Sequence, residues 1–365
     1  MFESIFFYAF VVFAAIQLLY LLFFSKLFVL SKKTESADAK KAISVIIYAK
    51  NNLIELKENL EYILNQNHPK FEVIIVDNDS FDDTMDYLSD IQKKYKNLKV
   101  VPVENNEAFW GNRKYALTLG IKASKYNYVV LTTPSSRPLS KEWLQQLSSE
   151  FTEKKKLILG VSKPSGKGFF ANLFVRYDAF LRDVFSFGWA SFGHSFLASD
   201  SNYAFDKNEF YRVKGFITHV RNDLSVTSLF TADALSQGNL GFSMDEKSFV
   251  KEEKPLTFSN WMKLKRQRFA ELGFSSFLNT FSYYFYFISK TLFLTFGILS
   301  IFFGFSLEAY WIFGNYFFLW MLASIFLLKK FRDLQIIYIL PVLDILFTIN
   351  EISNFIVYFI SKRKY

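Results

Sequence analysis

The chain reads as an α/β protein with a Rossmann-like, mostly parallel sheet, flanked on both sides by transmembrane helices. Three observations predict this class. Short Val- and Ile-rich runs recur about every 28 residues from Ile43 to Leu131, with amphipathic stretches between them. Long apolar runs occupy the two ends of the chain. The 365 residues suffice for one or two domains with a sizeable core, and 51% of them are hydrophobic. Aromatic residues reach 20%, mostly the 46 Phe and 20 Tyr.

Residues Ser4–Phe24 carry no charge, and apolar character resumes through Leu30. That length spans a bilayer as a helix. A cleaved signal peptide is the competing reading, but no positive charge precedes the run and no small-x-small site follows it. Residues 1–30 are therefore expected to be an anchor. Lys26, Lys32, Lys33, Lys40 and Lys41 lie at its end or follow it, which places the next domain in the cytoplasm. Residues 31–42 are expected to be a linker, polar through Lys40.

Strands are expected at Ile43–Tyr48, Glu72–Asp77, Lys99–Val103 and Tyr128–Leu131. Helical patterns fill Leu53–Leu64, Asp82–Tyr95 and Arg113–Ala123. Repeated βα units imply a parallel sheet covered on both faces, although such a repeat alone names no function. A loop, Leu131–Pro138, leads into a helix at Lys141–Phe151. Further on, a strand is expected at Leu157–Ser162 and helix plus loop near the membrane over Phe169–Phe196. A strand and short helix follow over Ser201–Gly215, then a helix over Asn222–Ala234 and a last strand at Gly241–Lys247.

Residues 261–272 carry Lys263, Lys265, Arg266 and Arg268 and read as an amphipathic interfacial helix. Over residues 273–365, Phe277–Phe303 and Ala309–Leu328 are long enough to span. Lys329, Lys330 and Arg332 then mark a cytoplasmic turn. Gln335–Ile360 contains Pro341, Asp344, Asn350 and Glu351, so it reads either as a third span or as a re-entrant hairpin. The terminal Ser-Lys-Arg-Lys-Tyr favours the hairpin.

Composition also excludes. There is no cysteine, hence no disulfide and no thiolate metal site, and the three histidines are scattered. The net charge of +9 comes without a nucleic-acid motif, so the expected partner of the basic residues is anionic membrane lipid, not nucleic acid.

Within Ile43–Thr84 stand Ser-Val-Ile-Ile-Tyr-Ala-Lys-Asn and then Gln-Asn-His-Pro-Lys-Phe-Glu-Val-Ile-Ile-Val-Asp-Asn-Asp-Ser-Phe-Asp-Asp-Thr. Gly111-Asn112-Arg113-Lys114 follows. From about Ile43 to Phe269 the chain resembles a membrane-anchored bacterial family 2 glycosyltransferase with a GT-A fold. The resemblance implies a domain over residues 43–260 at the bacterial cytoplasmic (inner) membrane, facing the cytoplasm. It implies sugar transfer from a nucleotide-sugar donor to a lipid-linked or envelope glycan acceptor.

Asp77 ends a strand and can accept a hydrogen bond from the base or ribose of the donor; it also suits a helix N-terminal acid. Arg113 and Lys114, near a helix N-terminus, can meet the diphosphate or lie on an ordinary solvated face. The family's metal-binding Asp-x-Asp falls on Thr133-Pro134-Ser135, whose hydroxyls bind Mg²⁺ or Mn²⁺ weakly; a divalent metal is not expected. The acceptor-activating acid falls on Asn222-Asp223, leaving Asp223 as the candidate base and, on the other reading, a helix N-cap. The family's Gln-x-x-Arg-Trp falls on Lys265-Arg266-Gln267-Arg268-Phe269 and keeps Arg268 as a catalytic candidate. Three altered catalytic motifs leave two expectations: an active enzyme with metal-independent or weakened catalysis, and an inactive relative that binds a nucleotide, glycan or protein partner.

Overall fold

The computed structural model describes residues 2–29, 41–104, 112–302 and 307–361. Most of the expected linker (31–40), the first residues of the Gly/Lys/Arg segment (109–111) and the basic tail (362–365) lie outside the described residues. In chain order the elements are α1 (Phe2–Val29), β1 (Ile43–Ala49), α2 (Leu53–Leu64), β2 (Phe71–Asp77), α3 (Thr84–Lys94), β3 (Leu98–Pro102), α4 (Arg113–Ala123) and β4 (Tyr128–Thr132). Next come β5 (Ser136–Pro138), α5 (Trp143–Ser149), β6 (Leu157–Gly160), β7 (Ser162–Lys163), α6 (Phe169–Ala190), β8 (Tyr203–Asp206) and α7 (Lys207–Arg212). The remainder is α8 (Val226–Ala234), β9 (Leu240–Ser243), β10 (Val250–Glu252), α9 (Phe258–Leu272), α10 (Phe277–Phe302), α11 (Leu307–Lys330) and α12 (Leu340–Ser361).

Seven strands form the main sheet in the order β3-β2-β1-β4-β8-β6-β9. β1 to β4 are mutually parallel, and β8 runs antiparallel to both of its neighbours. Strands buried on both faces read as continuous apolar runs, which is why Ile43–Ala49 and Phe71–Asp77 lack a polar alternation. The two-residue period still sorts them. Ile46, Ile74 and Val76 enter the core shared with α4 and α6, while Val45, Ile47, Val73 and Ile75 enter the core under α2, α3 and α5. Gly120 lets α4 lie close to the sheet, since a Cβ there would stand 2.5 Å from Val76.

A second sheet, β5-β10-β7, was not anticipated from sequence. Its strands hold two or three residues each and are defined only by pairing with distant segments. Helix α6 is buried almost all round. It is the floor of the domain, and α1 and α12 pack against it.

Among the described residues, four helices are long and apolar enough to cross a membrane: α1, α10, α11 and the stretch Leu334–Ile360. Phe6 meets Phe296 and the Tyr20 hydroxyl donates to the Ser282 carbonyl, so α1 and α10 are antiparallel. Phe10 meets Phe313 and Phe28 meets Phe326, so α1 and α11 run the same way.

The hairpin expected in the last segment is not formed; α12 is one continuous helix after a short 3-10 turn at Leu334–Ile339. Pro341 stands in its first turn, where a missing N–H leaves no hydrogen bond unmade. The polar residues that suggested a break face inward. Asp344 pairs with Lys290 of α10, and Glu351 accepts from the Tyr283 hydroxyl and pairs with Lys265 of α9. These contacts carry the end of α12 back toward the start of α10.

Candidate functional site

The carboxyl ends of β1, β2 and β4 open onto one edge of the sheet, the position where open α/β sheets take their ligands. Two loops there are laced together. The Asn51 N–H donates to the Ser80 hydroxyl at 2.9 Å, and the Phe81 N–H donates to the Asn51 side-chain oxygen at 2.7 Å. Asn51 and Asp79 both have positive φ, 53° and 56°, a conformation that Asn and Asp tolerate better than most residues. Asp77 is buried at the end of β2, and its carboxylate accepts from the Ser80 N–H and hydroxyl. It does not cap α3, which begins at Thr84; Asp82 accepts from the Thr84 N–H at 3.2 Å.

After β4 the chain turns through Thr133–Ser136. The Thr133 hydroxyl lies 2.7 Å from that of Ser136 and 3.3 Å from that of Ser135, so these oxygens satisfy one another. Neutral hydroxyls of this kind do not match Mg²⁺ or Mn²⁺, which favour anionic oxygen. Among the described residues no group of three or more His, Cys, Asp or Glu could hold a metal ion. Two acids that sequence reasoning passed over stand beside this loop. The Thr132 hydroxyl donates to the Ser201 carbonyl at 2.8 Å, which brings the neighbouring Asp200 to the edge. The Ser201 hydroxyl in turn donates to Glu252 at 3.0 Å.

Asn112 caps α4 by accepting from the Tyr115 N–H, so Arg113 and Lys114 occupy the first turn. Arg113 pairs with Asp200 at 2.9 Å, and Asp200 also accepts from Ser225 and Thr227. Burial works against the Asp200 charge, but Arg113 and these hydrogen bonds hold its carboxyl below the usual range. Lys114 is buried, and its ammonium donates to the side-chain oxygen (2.6 Å) and the carbonyl of Asn222. Burial pulls Lys114 down to about 8, with nearby Asp200 and Asp223 resisting the fall. Asp223 is exposed and is not the cap of α8; that role belongs to Ser225, which accepts from the Ser228 N–H.

Arg268 turns the other way. It pairs with Asp178 of α6, as does Lys265 at 2.8 Å, and the Trp261 indole N–H donates to the same carboxylate at 2.9 Å. Lys265 also reaches Glu351 at 2.7 Å. Burial disfavours an ionised Asp178, yet Arg268 and Lys265 outweigh it and hold the carboxyl well below its ordinary value. Glu271, near the end of α9, accepts from the Ser225 N–H at 3.0 Å and so ties α9 to the segment bearing Asp223. Burial raises the Glu271 carboxyl.

The structure thus brings Asp77, Arg113, Lys114, Thr133, Ser135 and Asp223 to one edge, while Arg268 is engaged by Asp178 of α6. Asp178, Asp200, Glu252 and Glu271 were not singled out in the sequence. Their roles come from partners far along the chain, 87 residues in the case of Arg113 and Asp200.

Residues 44–212 match the family model described as Glycosyl transferase family 2. The mannosyltransferase PcManGT from Pyrobaculum calidifontis, solved in complex with GDP-Man and Mn²⁺, superposes with a TM-score of 0.61 at 15% identity. The alignment covers 92% of this chain and 99% of that one, a likeness of fold. Residues 1–349 of S. aureus TarS in complex with UDP-GlcNAc give a TM-score of 0.45 at 17% identity, over 88% of this chain and 92% of that one. No sequence among curated proteins matches the chain.

Proposed function

We propose that the chain, whose residues 44–212 match the family 2 glycosyltransferase model and whose α/β fold is GT-A-like, is a membrane-anchored sugar transferase working with little or no help from a divalent metal. It takes a nucleotide-sugar donor and delivers the sugar to a lipid-linked or envelope glycan at the bacterial inner membrane, from the cytoplasmic side. The observation that carries this reading is the β1–β4 edge, which keeps Asp77, Arg113 and Lys114 while the loop after β4 offers only hydroxyls.

Asp77 receives the base or ribose. Arg113 and Lys114 offset the diphosphate as it leaves, a role that fixed cations fill electrostatically. Asp223, exposed beside them, takes the proton from the attacking acceptor hydroxyl. Arg268 contributes to the diphosphate only if its guanidinium leaves Asp178. The test is donor hydrolysis by purified protein across several nucleotide sugars, with Mn²⁺ and with chelator. Equal turnover in both supports the proposal; turnover that needs Mn²⁺ removes its metal-independent part. For topology, a reporter inserted within residues 31–40 is expected on the cytoplasmic side, and an external signal overturns that orientation.

A second reading, an inactive relative that binds a nucleotide, glycan or protein partner, is favoured by one feature. Arg113, Lys114 and Arg268 each already have a partner within the chain. Nucleotide binding without any donor turnover selects this second reading.

A further inference from the structure

Far from the β1–β4 edge lies a cleft of about 950 Å³. One wall is β9, the outermost strand of the seven-stranded sheet; the other is the end of α11. Its floor includes Ala190, Ser191 and Gly193, where α6 ends. The ends of two apolar helices meet here. Lys26 of α1 donates to the Ser191 carbonyl at 2.8 Å and lies 3.6 Å from the centre of the Phe192 ring. Lys330 of α11 donates to the Leu27 carbonyl. The cleft therefore opens at the level where α1 and α11 leave the apolar layer, whichever face of the membrane that is.

Its lining is cationic. Lys155, Lys247, Lys329, Lys330 and Arg332 face three acids, Glu150, Asp245 and Glu246. Arg332 pairs with Glu246 and Lys247 with Glu142, while burial pushes the Glu150 carboxyl up against the pull of nearby Lys155. Among the described residues, no carboxylate lies within ion-pair distance of Lys155 or Lys329. Phe242 and Met244 add apolar surface beside these charges. Basic clefts at the ends of membrane helices suit anionic headgroups, which the nearby cations attract.

We propose that this cleft binds the phosphate-bearing headgroup of an anionic membrane lipid. Lys155 and Lys329 clamp the phosphate from the sheet side and the helix side. The site shares none of the residues assigned to sugar transfer, and its wall β9 stands three strands along the sheet from β4.

The experiment uses the full chain in detergent with phosphatidylglycerol or phosphatidylcholine added, and native mass spectrometry counts retained lipid. The parent should prefer phosphatidylglycerol, and Lys155→Gln with Lys329→Gln together should cut that preference at least fivefold. Lys263→Gln, on the exposed face of α9, should leave it unchanged. Equal preference in parent and double variant overturns the proposal, as does a parent with no preference. Competition by glycerol phosphate at the same concentration as the lipid overturns it too, in favour of a soluble anion. Should the double variant melt below the parent in phosphatidylcholine alone, the exposed Lys329→Gln single variant gives the reading, with at least a twofold loss expected and no loss overturning the proposal.

Discussion

The carboxyl edge of β1–β4 and the base of the domain handle charge in opposite ways. At the edge, the Thr133 and Ser135 hydroxyls of the loop after β4 lie 3.3 Å apart, and Asp223 stands exposed. At the base, Asp178, Lys265, Arg268 and Glu351 form a buried ion cluster spanning α6, α9 and α12. The difference teaches that a basic helix beside a candidate nucleotide site is not necessarily a nucleotide-binding helix. Lys265 and Arg268 look available in the sequence, yet one acid, Asp178, 87 and 90 residues before them, engages both. What holds the domain to its membrane helices is charge as well as apolar packing.

The largest expected effect breaks the cluster. Asp178→Ala leaves Lys265 and Arg268 with much of their compensation gone in a dry site, and should cost about 3–5 kcal/mol of stability. Denaturant unfolding in detergent reads this, and a loss below about 1 kcal/mol would mean that the base is solvated.

Next in size is restoration at the edge. Thr133→Asp with Ser135→Asp should make nucleoside diphosphate affinity at least tenfold stronger with Mn²⁺ than with chelator, about 1.4 kcal/mol. Calorimetry showing no metal dependence in the double variant would mean that more than these two acids is missing.

A subtler effect concerns Lys114. With its folded value near 8, below its usual value of about 10.4, the ammonium is disfavoured in the folded protein. The unfolded chain then holds more protons between these two values, so this group's contribution to stability rises with pH across that window. Diphosphate affinity moves the other way. It should fall several-fold from pH 7.5 to pH 9.5 as Lys114 loses its charge, and Lys114→Arg should flatten the profile. An equally steep profile in that variant would acquit Lys114.

The smallest effect is a cap. Ser225→Ala removes the hydroxyl that accepts from the Ser228 N–H and should cost about 1 kcal/mol, read as a lowered melting temperature. Because Ser225 also donates to Asp200, the same change loosens the partner of Arg113 and sharpens the comparison at the edge.

The first half of the sheet was legible in the sequence because β1, β2 and β4 are largely buried on both faces and each helix follows its strand directly. Ile43–Ala49, Leu53–Leu64 and Arg113–Ala123 fall within a residue of their expected limits. Strands β5 and β10 were not legible, since pairings such as Glu252 with Ser136 leave no local period. For the site, the motifs singled out Asp77, Arg113 and Thr133, which the fold places at one edge. They could not show that Arg113 and Lys114 are held by the 200–227 segment, because that depends on tertiary partners. The inward face of α12 was obscured for the same reason: Asp344 and Glu351 read as interruptions until Lys290 and Lys265 are placed beside them.

The reversed direction of β8 has a bearing on which insertions and deletions the chain will tolerate. A strand antiparallel to β4 presents its entry, not its exit, to the loops after β1, β2 and β4, and Asp200 and Ser201 lie just ahead of that entry. Changing the length of residues 191–199 would therefore re-aim Asp200, and with it Arg113. Residues added beyond Asp206 leave β8 at the far end and would be felt mainly by α7. Natural variation in loop length should accordingly be scarce before β8 and common after it, a pattern that homologous sequences can display without any assay.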